Sequence, residues 1–184
     1  MEAPPPTARV RPAKCPGCGV AARPLGARLH VVGHGVRERQ VRGPLRAGRP
    51  PGLVVVRVRR FRCRVCGAVI TVLPRGVAPR RHFGAGAMGL AIAWLADGTP
   101  ARKIRENVGG IGPPEGGWVT LRRWGHALRL GSLLPGLRPI PIPSRRERAA
   151  RAVMILSAYA QPSLSRAPPD EQVFAGAVRL ARAA

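Results

Sequence analysis

Between Leu53 and Phe61 apolar and basic residues alternate. Val54, Val56 and Val58 fall on one face of an extended segment, and Arg57 and Arg59 fall on the other. That period of two predicts a half-buried β-strand. Leu29-His30-Val31-Val32 and Val36 to Val41 read as two more strands, joined at Gly33-His34-Gly35. Ala68 to Leu73 reads as a fourth, ended by Pro74. Gly43 to Gly52, rich in Gly, Pro and Arg, reads as a mobile loop.

Past residue 82 the period lengthens. Met88, Ile92 and Leu95 recur at i, i+4 and i+7, with Leu90 and Trp94 nearby. This predicts an amphipathic helix ending near Asp97-Gly98. Thr99 suits an N-cap and Pro100 a first helical position. The second helix then runs to Val108 and stops at Gly109-Gly110. A third runs from about Trp118 to Leu130, with Leu121, Trp124 and Leu128 as its apolar stripe. Arg122, Arg123, His126 and Arg129 lie largely off that stripe. Strands followed by helices make the chain α+β.

Composition divides the 184 residues further. Residues 1–14 read as a disordered basic tail, 15–74 as a small cysteine-bearing β domain and 75–82 as a connector. Residues 83–131 read as a three-helix domain with the order of a helix-turn-helix. Pro135, Pro139, Pro141 and Pro143 mark 132–144 as a stiff linker. Residues 145–184 read as a partly disordered stretch with two short helices, split by Pro162, Pro168 and Pro169.

Charge narrows the partner. The chain carries 32 Lys plus Arg against 8 Asp plus Glu, a net charge of +24. Only Lys14 and Lys103 are lysines, a bias that a GC-rich genome would write by itself. Codon bias does not explain the shortage of acids, so a polyanion is the expected partner. Residues 15–74 hold 12 Arg and a single acid, Glu38. Arg102, Lys103 and Arg105 crowd the start of the second helix, where cations oppose the helix dipole. A bound phosphate there would relieve the penalty, and exposed arginines with no such role remain the alternative.

The four cysteines form Cys15-Pro16-Gly17-Cys18-Gly19 and Cys63-Arg64-Val65-Cys66-Gly67. Each C-x-x-C sets two sulfurs on one tight turn, and the glycine after it can take the positive φ that closes the turn. Two such turns give four thiolates, the set a structural Zn²⁺ prefers. Disulfides, a redox C-x-x-C and an Fe(Cys)₄ electron carrier are the alternatives. The basic surroundings favour structural zinc with a polyanion-binding role. With 7 aromatic residues in all, the small domain would draw much of its folding free energy from the metal.

Together CPGCG, VVGHGVRERQV, VRVRRFRCRVCG, VITVLPRGVAPRRHF, GTPARKI and WVTLRRW resemble a bacterial family. Its members are zinc-ribbon plus helix-turn-helix proteins linked to insertion-sequence transposases. The resemblance spans about residues 15–130. It implies a zinc ribbon with Cys15, Cys18, Cys63 and Cys66 as ligands. It also implies duplex-DNA binding through a recognition helix that includes Val119 to Trp124. The nine residues Gly109 to Gly117 exceed the usual turn of that motif.

On this reading Arg57, Arg59, Arg60 and Arg62 grip phosphate, as do Arg102, Lys103 and Arg105. Arg122, Arg123, His126 and Arg129 face DNA, with Arg122 or Arg123 as the guanine reader. A solvated basic helix face is the rival account of the third helix.

No enzymatic role is expected. After residue 131 only Glu147, Asp170 and Glu171 remain as acids, too few and too poorly framed for a two-metal carboxylate site. His30, His34, His82 and His126 are scattered. Residues 1–6 lack the apolar core of a signal peptide, and Ala85 to Ala96 is too short to span a bilayer. The expectation is a cytoplasmic, nucleoid-associated protein without membrane or small-molecule ligand. It would act as a transposition accessory or regulator. An adaptor for a separately encoded transposase, an RNA binder and a remnant of a longer element are the alternatives.

Overall fold

The Val-rich alternation of residues 53–61 lies in a three-stranded antiparallel sheet in the computed structural model of the chain, which describes residues 5–110 and 118–181. Its strands are β1 (Val31–Gly43), β2 (Gly52–Cys63) and β3 (Val69–Val72), in the order β1-β2-β3. Arg59 stands opposite Val72, and Phe61 opposite Ile70. Gly33-His34-Gly35 is not a turn. β1 runs straight through it, with Gly35 at a φ of 83°. Glycine alone does not end a strand when a neighbour of equal length offers ladder partners, and β2 does so. The reversal falls instead in the Gly/Pro/Arg segment 44–51.

Six helices are described: α1 (Thr7–Val10), α2 (Ala85–Ala96), α3 (Ala101–Asn107), α4 (Val119–Arg129), α5 (Arg145–Ala158) and α6 (Pro169–Leu180). Thus part of the expected tail, Thr7–Val10, is one helical turn. Residues 145–181 hold two helices and a 3-10 turn at Pro162–Leu164. The chain divides into two compact units, Met1–Gln40 with Val55–Pro74 and Val41–Val54 with Arg75–Ala184. The division falls inside β1 and β2.

Glycine ends α2, α3 and α4 in one way. Gly98, Gly109 and Gly131 each take positive φ just past the last helical turn. The next residue's N–H returns to the third carbonyl from the end, as in Thr99 to Trp94 at 2.8 Å and Ser132 to Ala127 at 2.9 Å. This satisfies carbonyls the helix would otherwise leave open. Arg146 Nε adds a bond to Ala96 O at 2.8 Å, a cation at the negative end of α2. At the start of α3 the expected cap is displaced by one residue. Pro100 is the N-cap, with no side-chain cap bond, because its carbonyl accepts Ile104 N at 3.1 Å.

α2 is not amphipathic. All nine residues from Ala85 to Ala93 are buried. The large side chains Met88, Leu90 and Ile92 alternate with Gly and Ala, and the small residues let neighbours close over the remaining faces. A helix apolar all round belongs inside a core. Its broadest neighbours are α5 and α6, with α3 also against it, and α4 lies against α5. The three helices expected for a helix-turn-helix therefore share one core with the C-terminal helices. That core takes in Ile104, Leu121, Trp124, Leu128, Leu156, Val173 and Leu180. Phe83, Trp118 and Trp124 meet edge to face within it, at centroid distances of 5.2–5.8 Å. The segment expected as the long turn before α4 lies, from 111 to 117, outside the described residues.

The other unit has a much smaller core. Val31 and Phe61 are buried with Ala22, Cys15 and Cys63, flanked by Val10, Val20, Ala68, Ile70 and Val72. So few apolar groups are what a metal-stapled domain shows.

Candidate metal centre

Two turns with the same hydrogen-bond plan bring the cysteines together. Cys15 N donates to Val20 O at 2.9 Å, and Gly19 N to Cys15 O at 2.8 Å. In the second turn Cys63 N donates to Ala68 O at 2.9 Å, and Gly67 N to Cys63 O at 3.0 Å. Gly19 and Gly67 sit at φ of 73° and 75°, where an L side chain would be strained. A bridge between Lys14 and Ala21 closes the first turn, and the β2–β3 ladder closes the second. Arg64 N bonds to His30 O at 2.8 Å, tying the second turn to the residues that follow the first.

The four sulfurs lie within 4.8 Å of one another. Cys15 Sγ is 3.6 Å from Cys66 Sγ, and Cys18 Sγ is 3.8 Å from Cys63 Sγ. All four cysteines are free, so disulfides are not what holds the turns. A tetrahedron with metal–sulfur bonds of about 2.3 Å has sulfur–sulfur edges of about 3.8 Å. The four cysteines thus form a cluster that can hold a metal ion.

The thiols are not equivalent. Hydrogen bonding from the Cys18 backbone, opposed by burial and helped by the Gly17 backbone, lowers the Cys15 thiol from 9.0 to about 7. At Cys18 the hydrogen bond from the Val20 backbone is the largest influence and lowers its value. Burial and the thiols of Cys66, Cys15 and Cys63 outweigh it and push Cys18 up to about 12. A second and third negative sulfur are repelled by the first, so only a cation lets the whole set ionise.

The arginines of β2 do not form one stripe. The register to β3 runs without interruption from Arg59 to Arg62. By strand alternation Arg57 and Arg59 share a face with Phe61 and Cys63, while Arg60 and Arg62 share the other with Val58. Arg57 and Arg62 are exposed, and Arg59 and Arg60 are half-buried. Arg59 Nε is held by Pro5 O at 2.9 Å.

On α3, Arg102 and Lys103 are exposed and reach Glu106 at 3.8 and 3.9 Å. Arg105 is half-buried. Glu106, one turn along, balances one of these three positive charges, and both pairs are exposed.

On α4 the apolar stripe Leu121, Trp124 and Leu128 is buried, and Arg122, Arg123, His126 and Arg129 are exposed. Sequence reasoning missed one member of this region. Arg148 is 93% buried, the lone charged side chain buried among the described residues. Its guanidinium bonds the carbonyls of Ile142, Pro143 and Gly125. An arginine within Arg145-Arg146-Glu147-Arg148 carries no periodic signal that would single it out.

Among the described residues no helix is long and apolar enough to cross a membrane. Comparisons of the chain with protein-family models, with curated proteins and with solved structures find no match.

Proposed function

We propose that the chain is a zinc-stabilised, non-catalytic DNA-binding protein. The observation that carries this reading is α4. Its apolar face is anchored by Leu121, Trp124 and Leu128, and its other face offers Arg122, Arg123, His126 and Arg129 to solvent. None of these four has a hydrogen bond or ion pair among the described residues. Unpaired arginines on a firmly held helix suit phosphate and guanine contact. The Cys₄ cluster suits Zn²⁺ as a structural ion. It would be held by Cys15, Cys18, Cys63 and Cys66 and would fix the two turns beside the arginine-bearing strand. The resemblance of residues 15–130 to transposase-linked proteins extends the proposal to an accessory or regulatory role in transposition.

The test is a gel-shift titration of the zinc-loaded protein on duplex DNA from low to high salt. Binding should weaken steeply, as counterion release demands. Affinity that is indifferent to salt, or stronger binding to a structured RNA of equal length, would overturn the DNA reading.

A further inference from the structure

α4 and the start of α5 flank an open groove of about 450 Å³, lined by Arg122, Gly125, His126, Arg129, Pro143, Arg145 and Arg148. No carboxylate lines it. Residues 122, 126 and 129 are spaced i, i+4 and i+7, so all three point from one face of α4. The stem of Arg145 runs past Gly125 of α4, its Cγ 3.4 Å from where a Cβ would stand. Ser144 caps α5 by accepting from Glu147 N at 3.3 Å, so the positive end of a 14-residue helix adjoins the groove.

Arg148 is the informative member. Its bonds go to neutral carbonyls, Ile142 O at 2.8 Å, Pro143 O at 2.9 Å and Gly125 O at 2.9 Å among them. These bonds occupy four of the five N–H groups of a guanidinium and leave one on Nη1 free. A buried cation held by dipoles alone retains its full charge, which is costly without a counter-ion. Arg122, His126, Arg129 and Arg145 around it have no partner among the described residues. The groove therefore concentrates positive potential, with Glu147 in the first turn of α5 outside its lining.

We infer that this groove is a phosphate clamp, taking the sugar-phosphate backbone of the nucleic acid rather than base edges. The inference deepens the DNA-binding reading and rests on it for the source of the phosphate. It also divides α4. Arg122, His126 and Arg129 turn to the backbone, with Arg145 and Arg148 behind them, and Arg123, which does not line the groove, is left for base contact. Pre-fixed guanidinium groups suit such a clamp, because Arg binds phosphate oxygens in a planar fork.

The experiment uses the full zinc-loaded chain and the triple variant R122A/R129A/R145A. All three side chains are exposed and unbonded, so the fold should persist, and thermal melting checks it. Two arms are read. In the first, pyrophosphate is titrated and amide shifts of residues 122–129 and 142–148 are followed. The clamp predicts saturable shifts there, weakened at least tenfold in the variant.

In the second arm, duplex DNA affinity is measured against salt. The slope of log affinity on log salt should fall by roughly 2 to 3 units, equally for random and preferred sequences. Sequence preference should instead respond to Arg123→Ala. If pyrophosphate leaves the groove resonances unmoved while DNA binding and its slope survive the triple variant, the clamp is wrong and DNA binding stands. If pyrophosphate binds and DNA does not, the clamp stands and the DNA reading falls. A triple variant that alters sequence preference while keeping the slope would make these arginines base readers and overturn the clamp.

Discussion

Cys15 Sγ lies 3.6 Å from Cys66 Sγ, although the two residues are 51 positions apart in the chain. Among the described residues little apolar surface joins those turns, since the buried cluster around them amounts to Val31, Phe61, Ala22, Cys15 and Cys63. Metal binding on the order of 10 kcal/mol, typical of structural zinc at neutral pH, would dominate that unit's stability. Stripping the metal with a chelator should therefore unfold it, seen as loss of amide dispersion for residues 15–40 and 55–74. Cys63→Ser should do the same without chelator. The ion bound per chain, by elemental analysis, should be one zinc. Retained dispersion in the metal-free protein would reject a structural role.

The unequal thiols set a pH dependence. In the metal-free protein Cys15 ionises near 7 and Cys18 near 12. Loading displaces whatever protons the thiols still carry. At pH 8 Cys15 is already mostly a thiolate, so it contributes little to proton release, while Cys18 contributes fully. At pH 6 Cys15 is protonated as well. The share of proton release that comes from Cys15 should rise by about 0.8 between pH 8 and pH 6, and affinity should fall correspondingly on acidification. Calorimetry in buffers of different ionisation enthalpy measures it. A release that is constant across this range would show that Cys15 is not depressed.

The cysteine spacing and the helix ends were legible in the sequence for a physical reason. Each depends on a few adjacent residues, such as Cys-x-x-Cys-Gly or the glycines 98 and 109 that terminate α2 and α3. Burial was less legible. α2 looks amphipathic when only Met88, Ile92 and Leu95 are counted, yet Gly86, Ala87, Gly89 and Ala91 are buried too, because α5 and α6 close over them. The strand through Gly33-His34-Gly35 is decided by the length of β2, which no local pattern around those glycines reports. Arg148 draws its partners from Gly125 as well as from Ile142 and Pro143, so its role exists only once α4 and α5 are side by side.

The contact between α5 and α6 admits no side chain at Gly176. A Cβ there would overlap the carbonyl of Leu156, which belongs to backbone and cannot swing aside. Gly176→Ala forces the helices apart and should cost about 1–3 kcal/mol, the usual range for overpacking a core. Thermal or urea denaturation followed by tryptophan fluorescence would report it, since Trp118 and Trp124 are buried in the same core. An unchanged midpoint would show that the two helices are not in this close register.

Deleting residues 145–184 is the natural way to ask whether the C-terminus recruits another protein, and the core makes its outcome specific. The deletion removes Ala149, Ala152, Leu156, Val173, Ala177 and Leu180, all buried, and uncovers the faces of α2 that α5 and α6 close. It also removes Arg146 from the carbonyl of Ala96 and Arg148 from that of Gly125. Losing a single buried Leu costs about 2–5 kcal/mol, a large fraction of the stability of an ordinary domain. The truncated chain should lose the cooperative tryptophan transition and the tertiary structure of α2 and α4, while a zinc-loaded cluster in the other unit keeps its one-to-one metal content. Loss of a binding partner on truncation would then reflect an unfolded core. A truncated chain that still melts cooperatively, with Trp118 and Trp124 shielded from quencher, would instead show that α2, α3 and α4 fold without the C-terminal helices.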